Sequence, residues 1–411
     1  MEREQQLERE TELERQRSYN DFTYIPNMIL KTLGIDFLNS PKPLWQDVLL
    51  KTYSIICFLS HWHIFYYLIL RTIQWDELAG NPVLIMRFAI VYFFTANSDV
   101  KFIIFLYYRR RLRILNDKLE ELYPHGDEHC RKYRVNDFFW PRIARYGFYY
   151  YYFVVVFVVL GPLTQSIIMY LYQYFTVDSE AKFILLSTFP MKRFETMSMW
   201  KNILTLVVDF AFSHFVMNVN LGTDVWMMCH SAQICMHFAH LGRQLAEYRP
   251  QRQRVEENCE FLVNFVRRHQ RLFDLQKELN DIFGILLAYN LFSTASTLCC
   301  VIFYTILQGL NREGIGFMLF FFSSSAQFFM VSYYGQQLID WSQNIAMAAY
   351  THNWYDASVK YRRYLLMIMQ RAQRPAELSA KGVIIISLDT FKKMIGITYQ
   401  FFAVIRRILG K

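Results

Sequence analysis

The sequence predicts an all-α membrane protein with seven transmembrane helices, the N-terminus cytoplasmic and the C-terminus extracellular, plus a cytoplasmic helical anchor region. Three observations predict it. The 411-residue chain is 54% hydrophobic and 18% aromatic with only 10 Pro and 15 Gly, a composition rich in helix formers and poor in turn residues. Seven stretches are long and apolar enough to cross a bilayer. The basic residues also alternate between connecting segments: residues 109 to 145 hold ten Lys and Arg, 229 to 281 hold eight and 340 to 381 hold six, whereas 71 to 82, 175 to 199 and 310 to 316 hold five between them. Basic loops stay cytoplasmic, so the chain starts inside and ends outside. That orientation is the reverse of a G-protein-coupled receptor and excludes that class.

The first spanning segment runs from about Thr52 to Leu70 without a charge. At 1.5 Å per residue it reaches about 28 Å, enough for a hydrocarbon core of roughly 30 Å. The second, about Val83 to Tyr108, contains Arg87, Asp99 and Lys101, which must face protein, water or an interface. The third, Tyr146 to Val177, is interrupted at Gly161 and Pro162, where a kink or helix end is expected. The fourth, about Met199 to Met228, includes Asp209, His214 and Asp224. The fifth (Ile282 to Asn311) and sixth (Gly314 to Ile339) are uncharged and separated by Arg312 and Glu313, so they form an antiparallel hairpin.

The seventh segment, Gly382 to Leu409, carries Asp389, Lys392, Lys393, Arg406 and Arg407. A charge at mid-bilayer costs roughly 2.5 to 3.5 kcal/mol, so a lipid-exposed helix would not tolerate this pattern. A helix facing a water-filled pathway does; an amphipathic helix lying on the surface is the alternative. Between Ala232 and Leu279 apolar residues recur at helical spacing, as in Phe261, Phe265, Leu272, Leu275 and Leu279, and residues 340 to 370 continue likewise through Ile345, Met347, Tyr350, Trp354, Tyr361 and Leu365. The fourth, fifth and sixth helices therefore extend below the membrane as a helical platform suited to subunit assembly. The resulting organisation is a cytoplasmic N-terminal segment (1–46), helices one to four as a ligand-binding bundle (47–228), cytoplasmic extensions forming an anchor (229–281), helices five and six (282–339), a second anchor segment (340–381) and a pore-lining seventh helix (382–411).

The net charge of +9 lies in the cytoplasmic loops and reads as topology and attraction to anionic lipid, with no nucleic-acid partner. Residues 1 to 18 are charged without an apolar core, so a solvated tail is expected and no cleaved signal peptide. Cys57, Cys130, Cys229, Cys235, Cys259, Cys299 and Cys300 fall in helices or cytoplasmic loops, so no disulfide framework is expected.

The run Tyr333 to Asp356 (YYGQQLIDWSQNIAMAAYTHNWYD), followed some thirty residues later by Ser387 to Arg407 (SLDTFKKMIGITYQFFAVIRR), resembles the C-terminal signature of insect odorant receptors. Gly335, Leu338, Ser342, Ala349, Tyr350, Trp354 and Tyr355 match its first block, and Ser387, Leu388, Phe391, Thr398 and Tyr399 its second. The length, seven helices and inverted orientation extend the resemblance loosely to the whole chain. The long insertion of the shared co-receptor's second cytoplasmic loop is absent, so the chain resembles a variable, ligand-tuning subunit.

The resemblance implies an odorant-gated, non-selective cation channel in the plasma membrane of an olfactory neuron dendrite, assembled as a tetramer with the co-receptor around a pore lined by the last helix. No cofactor is implied. The pore segment becomes Thr398 to Leu409, where Phe402, Ile405, Arg406 and Leu409 share a helical face and Phe402 and Arg406 fall near the family's constriction. Four arginines there would repel cations. Either a mixed tetramer holds fewer copies, or Arg406 turns outward to the interface beside Arg407 and Lys411. The odorant site is implied in the outer halves of the second, third, fourth and sixth helices. Candidates at helical spacing are Phe88, Val91 and Tyr92; Tyr149, Tyr152, Phe153 and Val156; Val208 and Phe212; and Gln327, Phe328 and Val331. Burying about 200 Å² of a volatile supplies near 5 kcal/mol, which alone gives sub-millimolar affinity, so aromatic edges or a polar anchor must add to it. In so aromatic a chain such stripes also serve helix packing or lipid contact.

Other readings need other residues. His230, His237 and His240 share one helical side as a metal site requires, but the chain has no second histidine box, which favours packing over an enzyme. Asp209 and Asp224 within one span would suit a transporter's proton path, yet no inverted repeat accompanies them. No Gly-rich phosphate loop or nucleophile elbow is present. A gustatory-type ligand-gated channel subunit shares the architecture, and only the C-terminal block favours smell over taste.

Overall fold

The computed structural model describes residues 18–34, 44–73, 81–138, 199–309 and 312–408, with residues 149, 164, 167, 168, 170–172, 174 and 175 between them. Its elements, in order, are α1 (Tyr19–Thr32), α2 (Leu44–Ile73), α3 (Pro82–Tyr107), α4 (Arg109–Leu122), α5 (Asp127–Tyr133), a 3-10 turn (Val135–Phe138), α6 (Met199–Glu247), α7 (Val255–Gln308), α8 (Arg312–Thr351), a second 3-10 turn (Trp354–Asp356), α9 (Val359–Ala372), a hairpin of β1 (Ser379–Ala380) and β2 (Ile384–Ile385), and α10 (Leu388–Ile408). Five helices among the described residues are long and apolar enough to span a membrane: α2, α3, α6, α7 and α8. The predicted third span lies mostly outside the described residues, and α10 carries the charges that set it apart.

The helices are continuous through the segments read as extensions. α6, α7 and α8 run for 49, 54 and 40 residues, or about 74, 81 and 60 Å, two to three times a bilayer's hydrocarbon depth. α6 is the central post. Every residue from Phe215 to Gly242 is buried, and the helix packs against α1, α2, α3, α7 and α8. Lys118 and Glu121 of α4 pair with Glu278 (2.7 Å) and Arg271 (3.0 Å) of α7. The α7–α8 hairpin is antiparallel as expected, with Tyr304 and Phe317 edge to face at 4.6 Å near its turn.

Two elements differ from expectation. α1 lies inside the stretch read as a cytoplasmic N-terminal segment. Ser18 opens it with a capping box, its Oγ accepting from the Asp21 amide while Asp21 accepts from the Ser18 amide. Phe22, Ile29 and Leu30 of α1 are fully buried, and Ile29 closes on the bare α-carbon of Gly222 in α6. The last helix begins at Leu388 rather than Gly382: the β-branched run Val383 to Ile386 turns back on Ser379–Ala380, with Lys381 and Gly382 at φ of 53° and 73°. A strap from Ala376 to Ser387 thus separates α9 from α10. It is fastened by Ser342 Oγ accepting from the Ala376 amide (2.9 Å) and Asn280 Oδ1 accepting from the Ser379 amide (3.1 Å).

Candidate ligand site and pore helix

The charges predicted within the second and fourth spans meet one another. Lys101 of α3 and Asp224 of α6 are both fully buried and pair at 2.8 Å. Lys101 Nζ also donates to the Asn220 carbonyl at 3.3 Å, and the Gln327 amide of α8 donates to the same two acceptors, Asp224 Oδ2 at 2.7 Å and Asn220 O at 3.1 Å. Asn97 Nδ2 donates to Asn220 Oδ1 (2.9 Å) and Asn290 Oδ1 (3.0 Å), bringing in α7. Burying two charges costs several kcal/mol each unless they are paired and hydrogen-bonded; here α3, α6 and α8 supply those bonds.

A second polar pair sits among aromatic rings. His61 Nε2 of α2 lies 2.6 Å from Asp99 Oδ1 of α3. The imidazole stacks on Phe65 and Phe212 (centroids 6.1 and 5.5 Å) and touches Phe215 (4.8 Å), and Phe65 stacks on Tyr92 (6.1 Å). Each ring presents its face to an aromatic partner, and the cluster joins α2, α3 and α6.

The candidate ligand residues divide accordingly. Phe212 and Tyr92 belong to this aromatic cluster, Phe212 buried and Tyr92 exposed. Phe88 is buried in the main core, and Val91 and Val208 pack against it half-buried. Tyr149 is exposed, while Tyr152, Phe153 and Val156 lie outside the described residues. The sixth-helix candidates separate. Gln327 is committed to Asp224 and Asn220, Phe328 packs on Leu298 and Met394 toward α10, and Val331 is fully buried in the main core. The sequence reading missed His61, one of two histidines (with His63) in a span otherwise without ionisable side chains apart from its tyrosines and Cys57.

α10 has two unlike sides. Met394 and Thr398 are buried, and Phe391, Ile395, Phe402 and Ile405 flank them half-buried against the rest of the chain. Opposite them Asp389, Lys393, Gln400, Ala403 and Arg407 are exposed, with Lys393 and Asp389 paired at 2.7 Å. Of the four residues assigned to a pore face, Phe402 and Ile405 therefore lie beside the packed side, Arg406 is exposed, and Leu409 lies outside the described residues.

The signature residues meet at the strap. Gly335 of α8 lies directly against the Ile386 carbonyl, Leu338 and Ala349 are fully buried, Ser342 holds the Ala376 amide, and Ser387 Oγ accepts from the Thr390 amide at the start of α10. Tyr350, Tyr355 and Tyr399 are exposed. The histidine group packs as the weaker chemical reading required: His230 stacks on Trp226 (3.5 Å) and meets its carbonyl, and His240 stacks on Tyr133 (3.6 Å). No group of metal-ligating side chains occurs among the described residues.

An all-α, multi-pass membrane receptor is the class these features define. Residues 81–399 match the family model described as 7tm Odorant receptor. The chain is 45% identical over 400 residues to Odorant receptor 49a of Drosophila melanogaster, spanning 97% of this chain and all of that one. It is 34% identical over 406 residues to Odorant receptor 85f of the same fly, spanning 96% and 99%. Its fold is similar to that of the insect olfactory receptor OR5 from Machilis hrabei in complex with eugenol, with a TM-score of 0.73 at 16% identity over 94% of this chain and 97% of that one. The chain belongs to the odorant receptor family, a family of receptors rather than enzymes.

Proposed function

We propose that this chain is the odorant-binding subunit of a heterotetrameric, ligand-gated, non-selective cation channel of the plasma membrane, assembled with the odorant receptor co-receptor and opened by a small volatile. The observation that carries the reading is the two-sidedness of α10. Its packed side fastens it to α7 and α8, while Lys393, Gln400 and Arg407 are exposed on the other. A helix of this kind at bilayer depth requires water or protein on its charged side, and a central aqueous path among subunits provides it. Phe402 and Ile405 remain half-buried on the packed side, and Arg406 with Arg407 sits at the outer interface, where the long side chains reach headgroup water.

The ligand site is assigned to the aromatic region of α2, α3 and α6 around Phe212, Tyr92 and Val208, completed by Tyr152, Phe153 and Val156 of the third span. Small volatiles with an aromatic face, of the kind eugenol represents, suit stacking on these rings. Opening follows if the ligand binds the open arrangement better than the closed one; filling the site moves α8, and with it α10, away from the pore axis. The cytoplasmic halves of α6, α7 and α8 with α9 form the anchor on which subunits meet.

The test is current recording from cells expressing the chain with and without the co-receptor, across a volatile panel. Cation current evoked only with both subunits and a volatile supports the reading. Transport requiring stoichiometric ion coupling, or no response to any volatile, overturns it.

A further inference from the structure

Gln327 was placed by its sequence position among ligand contacts, but its amide reaches inward to α6. There it shares both of its acceptors, Asp224 Oδ2 and Asn220 O, with the buried Lys101. The arrangement is uneven in a useful way. Lys101 alone neutralises Asp224, so the carboxylate does not depend on Gln327 for its charge balance, and the Gln327 bonds serve only to tie α8 to α6. The other carboxylate oxygen, Asp224 Oδ1, is buried and accepts no hydrogen bond among the described residues. α8 can therefore shift away from α6 and release its amide without stranding a charge. Two arrangements of one helix about one fixed ion pair is what a bistable element requires.

We propose that Gln327 is a positioning residue for gating: its amide latches α8 to α6 in the resting arrangement, and its release from Asp224 Oδ2 and Asn220 O accompanies opening. The latch rests on the channel reading above. The reason it opposes opening is geometric. α8 enters the bilayer at Arg312, and Gln327 lies 15 residues along it, about 22 Å from that end, below the site assigned to the ligand. A molecule lodged among the outer halves of α2, α3 and α6 presses on α8 through α3, whose Phe94 meets Phe320 of α8 edge to face at 4.8 Å, and so works against any bond that closes α8 on α6 further down. Phe328, one residue on, packs on Met394 of α10, so a displacement of α8 at this level passes directly to the pore helix.

The experiment compares wild type with Gln327→Leu, Gln327→Met and Gln327→Asn, each co-expressed with the co-receptor and checked for surface labelling, using the most effective volatiles found for the wild type. A hydrogen bond to a charged group is worth tenfold or more in an equilibrium, so all three variants are expected to raise the current in the absence of volatile and to lower the half-maximal concentration about tenfold. The rank order of volatiles should stay unchanged. A merely structural loss would reduce current instead. Half-maximal concentrations and basal currents within twofold of wild type overturn the latch, as do variants that reach the surface and are silent. An altered rank order overturns it too, because Gln327 would then be a ligand contact. A wild type that responds while the variants do not shift leaves the channel reading standing; a wild type silent to every volatile removes both.

Discussion

The α-carbon of Gly335 lies against the carbonyl oxygen of Ile386 with no room for a methyl group between them. This contact sets α8 against the strap that leads into α10, and it explains why the first signature block needs glycine at that point of a helix. Elsewhere a helix-interior glycine costs roughly 0.5 to 1 kcal/mol relative to alanine. Gly335→Ala should displace the strap and destabilise the receptor by about 2 to 3 kcal/mol, in the range of overpacking in tight cores. Gly242→Ala, whose added Cβ meets only Ile345 Cγ1 at an ordinary 3.9 Å, should be neutral or stabilising. Thermal unfolding of the two purified variants makes the comparison; equal behaviour would remove the strap's role.

The Lys101–Asp224 pair should behave as a unit. Lys101→Met leaves Asp224 buried without its counter-charge and is expected to cost about 3 to 5 kcal/mol, enough to abolish surface delivery. Removing both charges with Lys101→Met and Asp224→Asn together should recover surface labelling, because an uncharged pair carries no desolvation debt. A double variant no better than the worse single one would show that the pair is not coupled as the geometry requires.

Acid should destabilise the receptor through His352. This residue is 1% exposed and accepts or donates a 2.7 Å hydrogen bond with the Tyr361 hydroxyl. Burial, with Arg249 nearby, holds its pKa below the ordinary histidine value of 6.5. The folded state therefore keeps it neutral while the unfolded chain takes up a proton, so its contribution is fully present above about pH 6.5 and is lost as pH falls below that value. The melting temperature of the purified receptor should fall between pH 7 and pH 5, and His352→Gln should make that fall shallower. An unchanged slope in the variant would contradict the assignment.

Phe212 and Tyr152 test the ligand site directly. Truncating either ring to alanine removes an aromatic face worth about 0.5 to 1.5 kcal/mol beyond its buried area. Phe212→Ala and Tyr152→Ala should each raise the half-maximal volatile concentration several-fold with surface labelling preserved. Concentration dependence unchanged in both would discard this region as the site.

Much of the architecture was legible because membrane helices announce themselves by length and charge. The second span was read as about Val83 to Tyr108 and is Pro82–Tyr107, and the helical spacing of Phe265, Leu272 and Leu279 matches a helix that runs unbroken from Val255 to Gln308. α1 was overlooked because it follows a charged stretch, although Ser18 and Asp21 already spelled its cap. Val383 to Ile386 was counted into the last helix because an apolar β-branched run suits strand and span alike, and the nearby Gly382 was the signal for a turn. The candidate site was less legible. Gln327 and Phe328 are neighbours in sequence but about 100° apart on a helix, and which face met α6 and which met α10 depended on packing partners far away in the chain. His61 gave no pattern, since its meaning comes from Asp99 on another helix.

The account stands on the direction in which the chain threads the bilayer, since only a last helix that emerges outside can line the proposed path from the exposed side of α10. Antibody staining of an epitope fused after Lys411, on intact and on permeabilised cells, measures this. Staining of intact cells is the predicted result; staining that appears only after permeabilisation would contradict the account.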